Sequence, residues 1–416
     1  MKRYAAVGAG VLALLAFASS AEAAKFCVQK PKCVQQGGTE AASVQAAFNL
    51  AAANGSNRDR VELGGKEFDN GPFSAAPGNP VNVVGAGASK TTLTRLATTD
   101  NVVILTLGDE DSKVSDLRVL INDGNNVRGI QTSGTARDLR VVSKSMSTSQ
   151  SGVLLGPGGR LVESRVSLPR DAPGSAALLM QGDQTLARDS RLQGSVGISG
   201  GALMGGTMRG VRLAIDAQSL GFNLFAGKGV LDQATIRLRT TGGGAAVQVN
   251  PSTGDATLTA RHVTAVGTGQ PGTVGAGASA TGVAGDCPTA KLVLRNSVLR
   301  KFDNDLRRSG LALMCTGPLK TVINVAWSVF DPAKVFEAGD GKVQKGKGNR
   351  NVNPQFVKQA AGNYHLKSSS PVIDKGEPGK PGKGHSKTDL DGRKRVLDGD
   401  GDGKARRDIG AFERPG

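Results

Sequence analysis

Near its C-terminus the chain reads Asp398-Gly-Asp-Gly-Asp-Gly403, three carboxylates at alternate positions with glycines that let the backbone curl around a hard cation. Calcium takes about six to eight oxygen ligands, and acids at positions 1, 3 and 5 with glycine at 6 match the start of an EF-hand loop. The match then stops, because position 12 is Ile409 and the nearest acid is Asp408 at position 11. The expected site is calcium held by Asp398, Asp400, Asp402 and Asp408, completed by backbone carbonyls and water. The competing reading is a solvated acidic turn within a basic tail.

A second pattern places arginines at regular intervals. Asp116-Leu-Arg-Val119, Asp138-Leu-Arg-Val141, Glu163-Ser-Arg-Val166, Asp189-Ser-Arg-Leu192 and Gly210-Val-Arg-Leu213 align, their last positions spaced by 22, 25, 26 and 21 residues. Side chains alternate faces along a strand, so Leu117, Val119, Leu139, Val141, Val166, Leu192 and Leu213 should point inward. Arg118, Arg140, Arg165, Arg191 and Arg212 then point outward as a candidate contact surface for an anionic polymer. A parallel column of Asp116, Asp138, Glu163 and Asp189 would offset their repulsion, and surface ion pairs of this kind are worth about 0 to 1 kcal/mol each. Gly210 stands in the acid position of the fifth copy, which leaves Arg212 the less compensated contact.

Catalytic constellations are harder to find. A polysaccharide lyase needs a base near carboxylates, and a glycosidase needs two carboxyls facing across one bond. Here the carboxylates and arginines are spread regularly, and His262, His365 and His385 are scattered. No Cys-x-x-Cys or closely spaced His pair offers a tetrahedral zinc site.

Those residues need elements to hold them. Self-similarity with a period in the twenties marks a solenoid, and 59 glycines with short Val/Leu/Ile runs favour many short strands over helices. Weaker copies follow near Ile236, Val263, Val298 and Val329. The recurrent Asn or Cys of leucine-rich repeats is missing, so stacked parallel strands fit better. One helix is predicted over residues 40–54, with Thr39 as N-cap and Asn54-Gly55 as stop, and it reads as the N-terminal plug a solenoid requires.

Residues 1–23 read as a secretory leader: Lys2 and Arg3, an apolar run over 7–17, then Ala21 and Ala23 before the expected cleavage. Their removal takes the formal charge from +17 to +16. So basic a secreted chain concentrates polyanions, which outside the cell means acidic polysaccharide or anionic envelope polymer. With 12 Phe, 2 Tyr and 1 Trp it lacks the aromatic supply for stacking on bases, and nucleic acid is not an expected partner. No transmembrane span is expected after the leader. In an oxidising compartment the four cysteines pair, and Cys27 with Cys33 and Cys287 with Cys315 are the near neighbours among three possible connectivities.

The segment Val81-Asn-Val-Val-Gly-Ala-Gly with Lys90-Thr-Thr-Leu, together with the repeats, resembles the right-handed β-helix proteins of the pectate-lyase-like superfamily. The C-terminus carries a more specific likeness, in Asn353-Pro-Gln-Phe356, Tyr364-His-Leu366, Ser370-Pro-Val-Ile-Asp-Lys-Gly376, Thr388-Asp-Leu-Asp-Gly392 with Arg395, and Asp408-Ile-Gly-Ala-Phe-Glu413. These resemble the module called the choice-of-anchor Q domain. The resemblance implies an all-β right-handed parallel β-helix with a short N-terminal capping helix and a loop-rich C-terminal cap, and no single activity. Members commonly carry an anchoring signal beyond the module, and a chain ending at Gly416 is expected to be secreted free.

The expected organisation is a leader over 1–23, an N-terminal cap over 24–80, coils over 81–335 and the C-terminal module over 336–416. The expected function is binding of acidic extracellular polysaccharide without catalysis. The alternative is a calcium-dependent polysaccharide lyase or glycoside hydrolase acting on an acidic glycan.

Overall fold

The computed structural model describes residues 22–55, 58–95, 100–201, 206–251, 254–282, 287–312, 320–382 and 385–416. Most of the expected leader, residues 1–21, lies outside them. Among the described residues no helix is long and apolar enough to cross a membrane.

Three ladders of short parallel strands wind through the chain. One runs through Lys25–Val28, Asp59–Leu63, Val81–Val84 and Lys113–Ser115. The next runs through Arg118–Ile121, Arg140–Ser143, Arg165–Ser167 and Leu186–Gly201. The third contains Val103–Leu107, Arg128–Thr132, Ser151–Leu155 and Ala176–Gln181. Strands that return in parallel to their own ladder after each circuit make a right-handed parallel β-helix. The ladder already exists at Lys25–Val28 and continues to Gly341–Lys345, so coil structure reaches beyond both expected boundaries, 81 and 335.

Alternation places one side chain in two inside. Val119, Val141, Val166, Leu192 and Ile215 stack in register, all buried. Each contributes about 1.5 to 3 kcal/mol of apolar burial. Leu117, Leu139 and Leu213 are buried as the repeats predict.

The bend between the first two ladders is a single residue in the left-handed region. Asp116, Asp138, Glu163, Asp189, Arg212, Gln233, His262, Asn296 and Trp327 occupy it, with φ between +49° and +61°. This corrects the fifth repeat. Leu192 pairs with Ile215 and Arg191 with Ala214, so Arg212 sits at the corner, one place after Asp189 in the acid column. The register of this copy differs by two residues from the one its letters suggest, because its corner residue is basic instead of acidic.

The N-terminal plug is a helix at Val44–Ala53 that buries Val44, Ala47, Phe48 and Ala51. Its N-cap is Ser43, whose Oγ accepts from Ala46 N at 3.1 Å, while Thr39 opens the strand Thr39–Ala41. A five-residue helix, Pro31–Gln35, closes the loop tied by the Cys27–Cys33 disulfide. Cys287 is also disulfide-bonded, and Cys315, its expected partner, lies outside the described residues. At the far end the last strand, Gly341–Lys345, exposes Lys342 and Lys345, charges that discourage edge-to-edge pairing.

The C-terminal residues do not extend the solenoid. After the antiparallel pair Phe356–Lys358 and Asn363–Leu366 they form a turn-rich module that folds back onto the outer face of the coils. A second apolar core joins the two: Val266, Val298 and Val329 from the coils meet Phe356, Tyr364, Leu366, Val372, Ile373, Ile409 and Phe412.

Candidate functional site

The outer face of the second ladder carries the arginines. Arg118 pairs in register with Arg140, Arg140 with Arg165, and Arg165 with Arg191, so four of the five expected contacts form one column. Coils are about 4.8 Å apart, which makes the column roughly 14 Å long. The expected acid column lies at the corners beside it, but three of its four members pair with other arginines. Asp138 and Glu163 pair with Arg137 at 3.3 and 2.5 Å, and Asp189 pairs with Arg188 at 3.1 Å. Arg212, expected to be the least compensated, is held by Asp189 through both nitrogens of its fork, one bond at 2.7 Å, and that hydrogen bond raises its pKa above the usual arginine value. Among the described residues, Arg118, Arg140, Arg165 and Arg191 take part in no ion pair. Neighbouring like charges at this spacing repel by up to about 1 kcal/mol in water-like surroundings, and by more where solvent is displaced.

The column ends where the module begins. Beyond Arg191 the same row continues as Ala214, and later as Thr264, Val298 and Val329 beneath the module. Two clefts open at the junction. One, of about 240 Å³, lies between Arg165, Arg191, Gln193, Asp216, Arg237 and Tyr364. The other, of about 500 Å³, lies among Asp189, Arg191, Arg212, His365, Asp391 and Phe412. None of His365, Tyr364, Asp216 or Arg237 is an expected site residue from the sequence. The available signal was the outer row itself, which changes from Arg to Thr and Val where something must cover it.

Each carboxylate in these clefts already has a cation. Asp216 is clamped by Arg239 at 2.6 Å and Arg170 at 2.8 Å; burial works to raise its carboxyl, but the two arginines outweigh it and hold it below the ordinary range. His365 Nε2 lies 2.7 Å from Asp391 Oδ2 and Nδ1 lies 2.6 Å from Asn363 Oδ1, with the ring 4.1 Å from that of Phe412. Tyr364 is pushed up to about 12 by burial. The groove therefore presents free guanidinium groups and fixed polar pairs, with no unpaired carboxylate facing a base.

The C-terminal motif residues hold the module together. Asp408 accepts from the backbone N–H of Asp374 and Arg414, both at 2.7 Å. Asp389 accepts from Asp391, Arg393 and Glu413 amides. Arg395, fully buried, donates to Glu413 Oε1 at 2.8 Å and to the carbonyls of Gly410 and Ala411. Each buried carboxylate satisfies turn amides that have no ladder to join. The module meets the corner column at Gln233, His262 and Asn296: Gln233 Nε2 donates to Thr388 O, and Asn296 Oδ1 accepts from Glu377 N at 2.6 Å.

Of the expected cation ligands, the structure brings Asp398 and Asp400 together with Asp374, their ligand oxygens all within 4.8 Å of one another. Asp374 is an addition. Asp402 and Asp408 are outside the group; within it Asp374 and Asp398 already accept turn amides through both oxygens, Asp374 from Gly399, Asp400 and Arg406 and Asp398 from Gly401 and Gly403. An all-carboxylate set suits a hard divalent cation, and burial raises the Asp374 carboxyl, a penalty that a bound cation would relieve.

No protein-family model matches the chain, and no curated protein matches it. Among solved structures the chain is similar to the A-module of the mannuronan C-5 epimerase AlgE4 from Azotobacter vinelandii, with 15% identity, 75% of this chain and 93% of that chain covered, and a TM-score of 0.32. At that level the likeness transfers neither a site nor an activity.

His262 makes the module junction pH-sensitive. Burial, reinforced by Arg395, Arg407, His385 and Arg261, drives its pKa well below 6.5, so the folded chain keeps it neutral. Below about pH 6.5 the unfolded chain takes a proton that the folded one refuses, and stability falls with pH by up to about 1.4 kcal/mol per unit. His262→Gln uses the residue that the adjacent coil places at the same corner, Gln233. Urea unfolding of this variant should lose that much less per pH unit on acidification than the parent; equal slopes would refute the assignment.

Proposed function

We propose that this protein is an extracellular, non-catalytic β-helix that binds acidic polysaccharide along the Arg118, Arg140, Arg165 and Arg191 column. The observation that carries the reading is that, among the described residues, these four cations stack in register without an ion pair, while Asp138, Glu163 and Asp189 in the adjoining corner column are paired with other arginines. The leader expected from the sequence supports an extracellular setting, and the capping roles of Asp374, Asp389, Arg395, Asp408 and Glu413 support a terminal module of the choice-of-anchor Q kind. One observation favours the catalytic alternative: His365, backed by Asp391, stands in the groove beside Arg191. Its ring nitrogens lie 2.6 Å from Asn363 Oδ1 and 2.7 Å from Asp391 Oδ2, so both are engaged within the module.

Retention on a polyuronate column should weaken as salt rises, since exposed charges are screened within about 10 Å at 0.1 M. Arg140→Ala and Arg165→Ala should each lower affinity about three-fold, from a contact worth roughly 0.2 to 1 kcal/mol. Salt-independent retention would sink the reading. Unsaturated products or new reducing ends that disappear in His365→Ala would replace it with the enzyme.

Calcium is the cation we propose for Asp374, Asp398 and Asp400. It should raise the melting temperature relative to chelator, by the equivalent of about 2.7 kcal/mol at a hundred-fold excess over Kd. Asp400→Asn should remove the difference. Identical melting with calcium and chelator in the parent protein would exclude the site.

A further inference from the structure

We infer that the groove receives the end of a linear polyuronate chain instead of an internal stretch, an inference that rests on the polysaccharide reading above. The binding row has two unlike ends. On the N-terminal side it passes from Arg118 to Thr92 and then to the exposed carboxylate of Glu67, which repels a polyanion but leaves the surface open. On the C-terminal side the backbone of the module stands across the row. The turn at 359–362 overhangs Ala214 and Thr235, and Arg237 Nη2 pins it by donating to Ala360 O at 2.7 Å. A polymer laid along the arginines runs into this wall just after Arg191.

The wall carries what a terminal sugar needs. A terminal ring exposes hydroxyls that an internal ring uses in its linkages, and the fixed Arg212 with Asp189 and His365 with Asp391 pairs offer donors and acceptors to them. Phe412 and Leu390 supply an apolar edge in the same cleft. A repeat of one cation per coil fits a polymer with one carboxylate per sugar. Four rungs then fix the bound length at about four units, because nothing cationic follows Arg118 in that row.

The test uses the full chain with polygalacturonate and its oligomers of defined length, read by calorimetry. Saturating stoichiometry should follow the number of polymer chains at constant mass, and affinity should rise with oligomer length and level off near four units. Arg191→Ala should weaken dimer binding about three-fold while Arg118→Ala leaves the dimer unchanged and weakens the tetramer. Both side chains are on the surface, so folding is not in question. Stoichiometry that follows mass, or a dimer equally sensitive to both substitutions, overturns chain-end binding and leaves the polysaccharide reading standing. Absence of binding by any member of the series overturns both.

At the opposite end of the solenoid an independent observation carries a second proposal: cleavage between Ala23 and Ala24 creates an α-ammonium group that pairs with buried Asp59. Ala24 N already lies 2.7 Å from Asp59 Oδ1, which also accepts from Asn54 Nδ2 at 2.8 Å. Asp59 is fully buried, its Oδ2 has no hydrogen-bond partner, and among the described residues it has no ion pair. A buried carboxylate without a cation is costly. Hydrolysis adds hydroxyl to the Ala23 carbonyl and hydrogen to Ala24 N, which gains a further proton from water; one amide donor becomes three donors bearing a positive charge. The same cleavage frees Asn54 Nδ2 from Glu22 O, its other acceptor at 3.1 Å.

A chain beginning at Ala24 should therefore unfold with an equilibrium constant about ten-fold smaller than one beginning at Ala23, the difference between a charged and a neutral hydrogen bond. Asp59→Asn should abolish the difference. If that variant does not fold, the gap between the two parent chains should close as pH rises past the α-amine titration near about 8, because a raised ammonium pKa stabilises only below it. Equal stability of the two chains at neutral pH overturns the proposal.

Discussion

Parallel in-register hydrogen bonding between successive coils is the constraint under which every other feature operates, because it makes the nearest neighbour of each residue the equivalent residue one coil away. Apolar residues gain from this: Val119, Val141, Val166 and Leu192 pack like on like into a continuous core. Charges lose, since Arg118, Arg140, Arg165 and Arg191 must tolerate one another. The corners lose too, as a left-handed backbone at a residue other than glycine costs about 1 kcal/mol or more. Nine such corners persist because the ladders on either side leave the chain no other way to turn.

The same constraint explains the module. The row that carries the arginines changes to threonine and valine in the later coils, which lets the module lay apolar residues on it, while the neighbouring row keeps Asp232 and Arg261, buried under the module with Asp232 accepting from Ser386 N. There the module adds its own apolar residues and closes a second core. Its many turns leave backbone amides without ladder partners, and buried Asp374, Asp389, Asp408 and Glu413 receive them. Conserving that arrangement requires acids in an otherwise basic segment, which is why the same letters that suggest metal ligands also serve as caps.

Local and periodic features were legible in the sequence. The coil period, the inward residues and four of the five outward arginines follow from alternation within strands, and the near-neighbour pairing of Cys27 with Cys33 follows from chain proximity. The fifth repeat was not legible: register depends on which residue turns the corner, and Arg212 replaces the acid that marks the others. The capping helix was placed correctly, but Thr39 belongs to a strand and Ser43 makes the cap. His365, Asp391 and Tyr364 gained their place beside Arg191 through docking of segments far apart in sequence, which no spacing rule encodes. Asp374 joined Asp398 and Asp400 for the same reason, across an intervening stretch of more than twenty residues.

Because the wall at 359–362 rests on the later coils while the arginines belong to the earlier ones, the two can vary separately. Duplicating or deleting one whole coil between Arg118 and Arg191 would shift the working surface by a single rung, about 4.8 Å, and leave both capped extremities as they are. On the proposed reading, the number of arginine-bearing coils sets the length of polymer accommodated, and that number can change by one coil without altering the fold.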